Sequence, residues 1–536
     1  MFLRYFICGL IVAIPFVFPS TWILSWFALI PLAFMLIRHG SDVSKKRAYM
    51  NGFAFGLGYF GVMFYWFTSL YPMEFLGLSN GESLLLVIVC WFGLALVQTI
   101  EFGFLPLIYR LIKPDKKSPV FCILLVTALF VIFEWQQNFF WRGVPWARLA
   151  VSQSAVPIFQ QSASLLGGLF VSGLIAAVNA FLALALYNIL GDRQIKELPS
   201  LIKSGILQKK TVIFTCVALA IFLSNALFGA IRYSVYDVKS DRKVTCAAIQ
   251  GNISSLDKWA DDSVSFSLKK YTTLTRKCVE ETSAQIVVWP ETVICTDLAN
   301  NRYKETADSI CKLAKELNIT IFVGAFESEW IDDEKRSYNS VFLFKPDGTM
   351  DENTYRKRHL VPFGEYTPME DFIKIFLPIL FELNILSDTY TPGTDSEVFD
   401  TVHGKVGSLV CFDSIYELTA LDSTRDGAEL LTLSTNDSWF RDSAAVYQHN
   451  SHASIRAIEN GRYIVRAANT GVSTVISPVG DVLVLLDPLI EGYVSADAYM
   501  LSSRTLYSYV GDIFVYVCIS YAVGLSVYLR VKNKRA

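Results

Sequence analysis

The sequence is short of charge. Asp, Glu, Lys and Arg make up 18% of its 536 residues and nearly cancel, leaving a formal net charge of -2. A protein that grips nucleic acid needs a basic excess to meet the phosphates, so composition offers no case for that class. Histidine is scarce, with 5 residues, and none of the 10 cysteines forms a Cys-x-x-Cys pair. Neither a zinc site of the usual spacing nor a dithiol redox centre is supported. There is also no low-complexity tract and no internal repeat. The chain is instead apolar, with 53% hydrophobic residues, more than one soluble core can bury. The first expectation is a membrane protein.

Apolar stretches of the roughly 17–25 residues that cross a bilayer lie near 3–19, 22–38, 52–70, 84–112, 119–135, 165–190, 211–231 and 507–530. The first, broken by Pro15, resembles a signal peptide, but no small-residue cleavage site precedes the next run, so it reads as a retained anchor. Basic residues gather after the second run (Arg38, Lys45, Lys46, Arg47), the fourth (Arg110, Lys113, Lys116, Lys117), the sixth (Arg193, Lys196, Lys203, Lys209, Lys210) and the last (Arg530, Lys532, Lys534, Arg535). The loop at 71–83 has none. The excess of Lys and Arg in cytoplasmic loops then places both termini in the cytoplasm. The expected organisation is a membrane domain of seven helices over 1–234, an extracytoplasmic domain over 235–505, and a last helix with a basic tail over 506–536.

The 235–505 segment changes character. "KVTCAAIQG", "AQIVVWPE", "ITIFVGAF", "NSVFLFKP", "GKVGSLVCFD" and "AELLTLSTND" are short apolar runs bounded by turn formers, the pattern of buried strands. Between them, 263–282 and 304–317 carry helical periodicity, the second with Ile310, Leu313 and Leu317 near one face. Alternating strands and helices imply an α/β domain with a sheet covered by helices. Five cysteines fall here, and an odd number in an oxidising compartment leaves at least one unpaired.

Three strand ends carry chemistry. Cys411 closes an apolar run where a loop begins, the place where α/β enzymes put reactive groups; the bland alternative is a small buried hydrophobe. A working thiol needs a base and a nearby positive charge. "VVWPE" delivers Glu291, either a carboxylate desolvated for proton transfer or a helix cap. "YRKRHLVPFGEYTP" delivers Lys357 among basic residues and a second acid, Glu365, or else a solvated basic face. Three such elements in the order Glu, Lys, Cys, each at a strand-to-loop junction, rarely arise together by chance.

With "WPET", "YRKRHLVPFGEYTP" and "VCFDSIYE" in that order, the chain resembles the nitrilase superfamily, whose members use a Glu, Lys, Cys triad on an α-β-β-α sandwich. Over its full length it resembles one branch, the apolipoprotein N-acyltransferases of bacterial inner membranes, in which such a domain hangs outside eight spans. "GVPWARLAVSQ", "IQGNISSLDKW", "STNDSWF" and "RAIENGRYIVRAANTGVSTVISPVG" add to the likeness. One position departs from it: the residue two after the cysteine is usually Glu in the family and is Asp413 here.

The resemblance implies a ping-pong acyltransferase without a cofactor. Cys411 is then the nucleophile, Glu291 the general base and acid, and Lys357 the stabiliser of the oxyanion, helped by the backbone N–H of Phe412. The donor is a membrane phospholipid, and the acceptor is the α-amino group of a diacylated apolipoprotein. Glu365 orients Lys357 or the amine, or only caps a turn. Trp259 and Trp439 follow strand ends and either line an acyl pocket or pack in a core. The apolar segment 375–386 reads either as a lid that enters the outer leaflet or as a core helix. Two rival functions share parts of this picture: a membrane-tethered amidase with the same triad, and a transporter whose outer domain senses a metal at His449 and His452. For the second, no third or fourth ligand is evident, and no metal is expected.

Overall fold

The computed structural model describes the chain except residues 74–76, 115–117, 140–142, 192, 199–200, 202–208, 237, 240–241, 259–261, 377–388 and 536, and except the side chains of 195, 255–256, 372–373, 376, 533 and 535. It divides into two compact units, one formed by 1–68, 86–235 and 510–536, the other by 69–85 and 236–509.

The first unit is helical. Among the described residues, six helical stretches are long and apolar enough to cross a membrane: Pro19–Gly40, Asn80–Ile112, Pro119–Asn138, Gly168–Leu190, Lys209–Val235 and Ile513–Lys532. The shorter apolar helix Phe2–Val17 and the helix Lys45–Met63 account for the remaining two apolar runs. The last of these starts seven residues before its apolar run. Its start is set by a cap rather than by hydropathy: the Ser44 side chain accepts from the Arg47 amide at 3.3 Å. The run at 22–38 is broken into short helical pieces, with Pro19 and Pro31 each at the beginning of one. Buried polar side chains tie the helices. Glu134 Oε1 accepts from the Leu149 amide at 2.8 Å, and Asn179 accepts from the Leu29 amide at 2.9 Å. Glu134, an acid inside a span, thus serves as a cap for the turn Leu149–Gln153.

Among the described residues, the second unit is built on thirteen strands. In chain order they are β1 Lys243–Gln250, β2 Ile286–Val288, β3 Ile294–Asp297, β4 Thr320–Ile331, β5 Glu334–Phe344 and β6 Met350–Arg356. Then follow β7 Val398–Thr401, β8 Gly404–Val410, β9 Leu430–Thr435, β10 Ile464–Ala468, β11 Ser473–Ile476, β12 Val482–Leu486 and β13 Gly492–Tyr499. They form a seven-stranded sheet in the order β13-β1-β2-β4-β5-β6, with β3 on β4, and a six-stranded sheet in the order β12-β11-β10-β9-β8-β7.

Side-chain alternation along the strands explains the layers. Val244, Cys246 and Ala248 of β1 pack with Val406, Val410 and Leu430 between the sheets. Ala247 and Ile249 of the same strand point the other way, onto the helices 263–282 and 304–317 through Tyr271, Ile310 and Leu313. On the far side of the second sheet, Leu409, Leu431 and Leu433 pack on Ala420, Ala453 and Ala457 of the helices Glu417–Arg425 and Ala444–Asn460. The unit is an α-β-β-α sandwich, the expected fold class.

Topology gathers the strand ends. β1, β2 and β4 are mutually parallel, and β8, β9 and β10 likewise. β5 is antiparallel to β4, and β6 is antiparallel to β5. β6 therefore runs the same way as β2, so the residues just after these two strands emerge at one edge of the first sheet. Those after β8 and β9 emerge together on the second.

Candidate active site

Glu291 follows β2 by three residues, and close backbone approach holds it there. Gly324 of β4 passes so near that a Cβ on it would lie 2.3 Å from the Pro290 carbonyl oxygen and 2.7 Å from Glu291 Cα. Its neighbour Thr292 sits in the left-handed region at φ +46°, a conformation that costs on the order of 1–3 kcal/mol for a β-branched residue. Lys258 helps to hold that turn: its Nζ donates to Thr292 Oγ1 at 2.5 Å and to the Glu291 carbonyl at 3.4 Å.

Lys357 is the first residue past β6, and its amide is bonded to the Asn339 carbonyl at 2.8 Å. Its ammonium, 1% exposed, donates to Glu291 Oε1 at 2.9 Å and lies 2.8 Å from Glu365 Oε2. Asn339 Nδ2 bridges the same two acids, at 2.7 Å from Glu291 Oε1 and 2.8 Å from Glu365 Oε1. The second Glu291 oxygen accepts from the Asn436 amide at 2.8 Å. Burial alone would push the lysine pKa down, but the charges of Glu291 and Glu365 outweigh it and hold the pKa well above the usual lysine range. Arg356 and Arg358 turn to other partners, Glu327 with Glu329, and Asp422. Side-chain alternation in the extended segment thus separates Lys357 from its basic neighbours.

Cys411 directly follows β8 and sits in the left-handed region at φ +49°, opening a short 3-10 turn, Cys411–Ile415. Burial and the Glu291 charge push its pKa up, and Lys357 pulls it down; the balance lies above the ordinary thiol value. The resting group is a thiol, and Lys357 on its own does not make it a thiolate.

Asp413 is fully buried. Oδ2 accepts from the Tyr355 hydroxyl at 2.8 Å and the Val410 amide at 3.1 Å, and Oδ1 accepts from the His359 amide at 2.8 Å. The shorter acid thus ties the end of β8 to the end of β6. Burial would raise its pKa, but the hydrogen bonds from His359 and Tyr355 hold it below the usual carboxylate range. Glu365 also accepts from the Val361 amide at 2.9 Å, closing its own turn around Lys357. Phe412 and Tyr416 pack edge to face. Trp439 is partly buried on the turn Ser438–Phe440, just past β9. Trp259 lies outside the described residues, as does most of 375–386, of which Ile375 is exposed.

Sequence reasoning missed Asn339, Asn436 and Lys258. Asn436 follows a strand end in "STNDSWF" and carried a signal; Asn339 lies within β5 and carried none. It also read His449 and His452 as a solvated helix face rather than a metal pair, and both are in fact buried. Cys411, Asp437 and His449 do place ligand atoms within 4.8 Å of one another. A cation there would have to displace Arg466, whose Nη2 donates to Asp437 Oδ2 at 2.8 Å.

Residues 8–181 match the family described as the apolipoprotein N-acyltransferase N-terminal domain, and residues 245–503 match the carbon-nitrogen hydrolases. The chain is similar to the apolipoprotein N-acyltransferase of Geobacter metallireducens, with 30% identity over 97% of this chain and 93% of that one. It is similar also to those of Gloeobacter violaceus (27%, over 93% and 88%) and Shewanella oneidensis (27%, over 95% and 91%). Among solved structures, a Saccharomyces cerevisiae member of branch 10 of the nitrilase superfamily overlaps 51% of this chain and 95% of its own, with 21% identity and a TM-score of 0.37.

Proposed function

The chain belongs to the apolipoprotein N-acyltransferase family and is a membrane-embedded acyltransferase of lipoprotein maturation; from that premise we propose that it carries the acyl chain on Cys411 as a thioester, taking it from a phospholipid. Glu291 removes the thiol proton as Sγ attacks the ester carbonyl. The Sγ–C bond forms, the ester C–O bond breaks, and Glu291 returns the proton to the departing glycerol oxygen. The raised thiol pKa makes this base necessary. Lys357, held by Glu291 and Glu365, and the N–H of Phe412 stabilise the tetrahedral oxyanion, each donor contributing roughly 3–4 kcal/mol. In the second half-reaction the α-amino group of a diacylated apolipoprotein attacks the thioester, Glu291 takes its proton, and the amide forms as Sγ leaves. Asp413 sets the spacing of Cys411 to Lys357, and Trp439 lines the path of the acyl chain.

The chain lies in the bacterial inner membrane with both termini cytoplasmic and residues 235–505 on the periplasmic side, a reading supported by the basic residues beside its spans. Both substrates are lipids confined to the bilayer, so covalent attachment to membrane helices raises their concentration at the thiol. The observation that carries the reading is the buried Lys357 ammonium shared by Glu291 and Glu365 at 2.9 and 2.8 Å. The test is a pair of variants: Cys411→Ala abolishes both half-reactions, and Glu291→Gln stalls thioester formation with the fold intact. Acyl transfer to a diacylated lipopeptide by purified Cys411→Ala would overturn it.

A further inference from the structure

The peptide that follows the Cys411 side chain is held from behind. The Cys411 carbonyl accepts from Ser414 Oγ at 2.8 Å and faces His449 Nε2 at 3.1 Å. Nε2 also lies 3.1 Å from Ser414 Oγ. The serine has one proton and gives it to the carbonyl, so Nε2 must carry its own proton to meet these two oxygens. On the other edge of the ring, Nδ1 lies 2.9 Å from Asp437 Oδ1 and 3.1 Å from Arg466 Nη2. His449, Asp437 and Arg466 are all almost completely buried. Gly471 makes the room, since a Cβ there would lie 2.2 Å from Asp437 Oδ2. Burying three ionisable groups is expensive, and apolar side chains of similar size would pack the same space at lower cost.

We propose that His449 is a positioning residue for the oxyanion site: by donating from Nε2 to the Cys411 carbonyl, it fixes the plane of the Cys411–Phe412 peptide and so aims the Phe412 N–H. The peptide unit is planar, so its carbonyl and its N–H turn as one body. A carbonyl that already accepts hydrogen bonds is polarised, which makes the N–H on the same peptide a stronger donor. The left-handed φ of Cys411 is a conformation that relaxes unless its surroundings hold it. The chain Arg466, Asp437, His449 supplies that hold and anchors it on β10. The inference rests on the reading that the Phe412 N–H stabilises the oxyanion.

The test uses the full-length protein in mixed micelles with one defined phosphatidylethanolamine. Two rates are followed on Cys411 by intact mass: acylation, which passes through an oxyanion, and alkylation by iodoacetamide, which does not. His449→Ala slows acylation by about tenfold to a hundredfold, less than the ~10²–10³ lost when an oxyanion donor is removed outright, and leaves alkylation little changed. His449→Gln, whose amide nitrogen reaches close to the place of Nε2, recovers most of the acylation rate. Ser414→Ala removes the second donor to the same carbonyl and gives the same selective signature at smaller size. That variant and His449→Gln decide the matter if His449→Ala does not fold. Acylation and alkylation falling together in folded variants, or neither falling, would overturn the proposal. Failure of the underlying reading looks different: Cys411→Ala would still acquire an acyl chain.

Discussion

Replacing Lys357 by arginine, and separately by methionine, distinguishes charge from placement. The ammonium is 1% exposed and lies within 2.9 Å of Glu291 and 2.8 Å of Glu365. A guanidinium keeps the positive charge between the two acids, but its planar fork spends its donors on them and leaves none aimed at the oxyanion. Losing that donor costs about 3–4 kcal/mol of transition-state stabilisation, or ~10²–10³ in the acylation rate. The two extra heavy atoms add an overpacking cost of about 1–3 kcal/mol to stability. Methionine loses the same donor and also leaves two buried carboxylates without their cation, which costs roughly 3–5 kcal/mol of stability. The two variants should therefore acylate at similarly low rates, with the methionine variant melting lower. Single-turnover acylation read by intact mass, with a thermal melt of each variant, makes the comparison. Near-normal acylation by Lys357→Arg would refute the argument and show that bulk positive charge suffices.

Three further outcomes are expected. Asp413→Glu, which restores the family's usual acid, should destabilise the catalytic unit by about 1–3 kcal/mol in a melt, because a methylene has no space at a fully buried site whose contacts are fitted to the shorter side chain. Gly324→Ala should leave a folded protein with little acylation, since its Cβ must push back the Pro290 carbonyl and Glu291; normal single-turnover rates would contradict that. Asp413 and Asp437 both have folded pKa values below the ordinary carboxylate value. Their contribution to stability is present above the unfolded value of about 3.9 and is lost as pH falls through the folded values. Melts across that acid range should show a limb that Asp437→Asn flattens.

The layers of the catalytic unit were legible in the sequence because they follow from local pattern. The six apolar runs from "KVTCAAIQG" to "AELLTLSTND" all lie on strands, and 263–282 and 304–317 are the two helices on the first sheet. β6, "MDENTYR", was not visible as a strand, since its polar residues face outward and its identity depends on pairing with β5. The three residues proposed to react, Glu291, Lys357 and Cys411, were legible from strand-end position. Two of their partners were not: Asn339 lies inside β5, and His449 inside a helix, so each is brought to the site by long-range packing that no local spacing announces. Asp413 shows the same limit. Its sequence neighbours do not reveal that Tyr355 and His359 reach it from β6 and the loop beyond.

The thioester can be weighed directly. Wild-type protein mixed with a single defined phospholipid, without acceptor, should gain the mass of one acyl chain, and peptide mapping should place it on Cys411. Adding a diacylated lipopeptide should remove that mass and leave the lipopeptide one acyl chain heavier. Transfer to the lipopeptide with no adduct on the protein at any time, or an adduct on a residue other than Cys411, would contradict the covalent route.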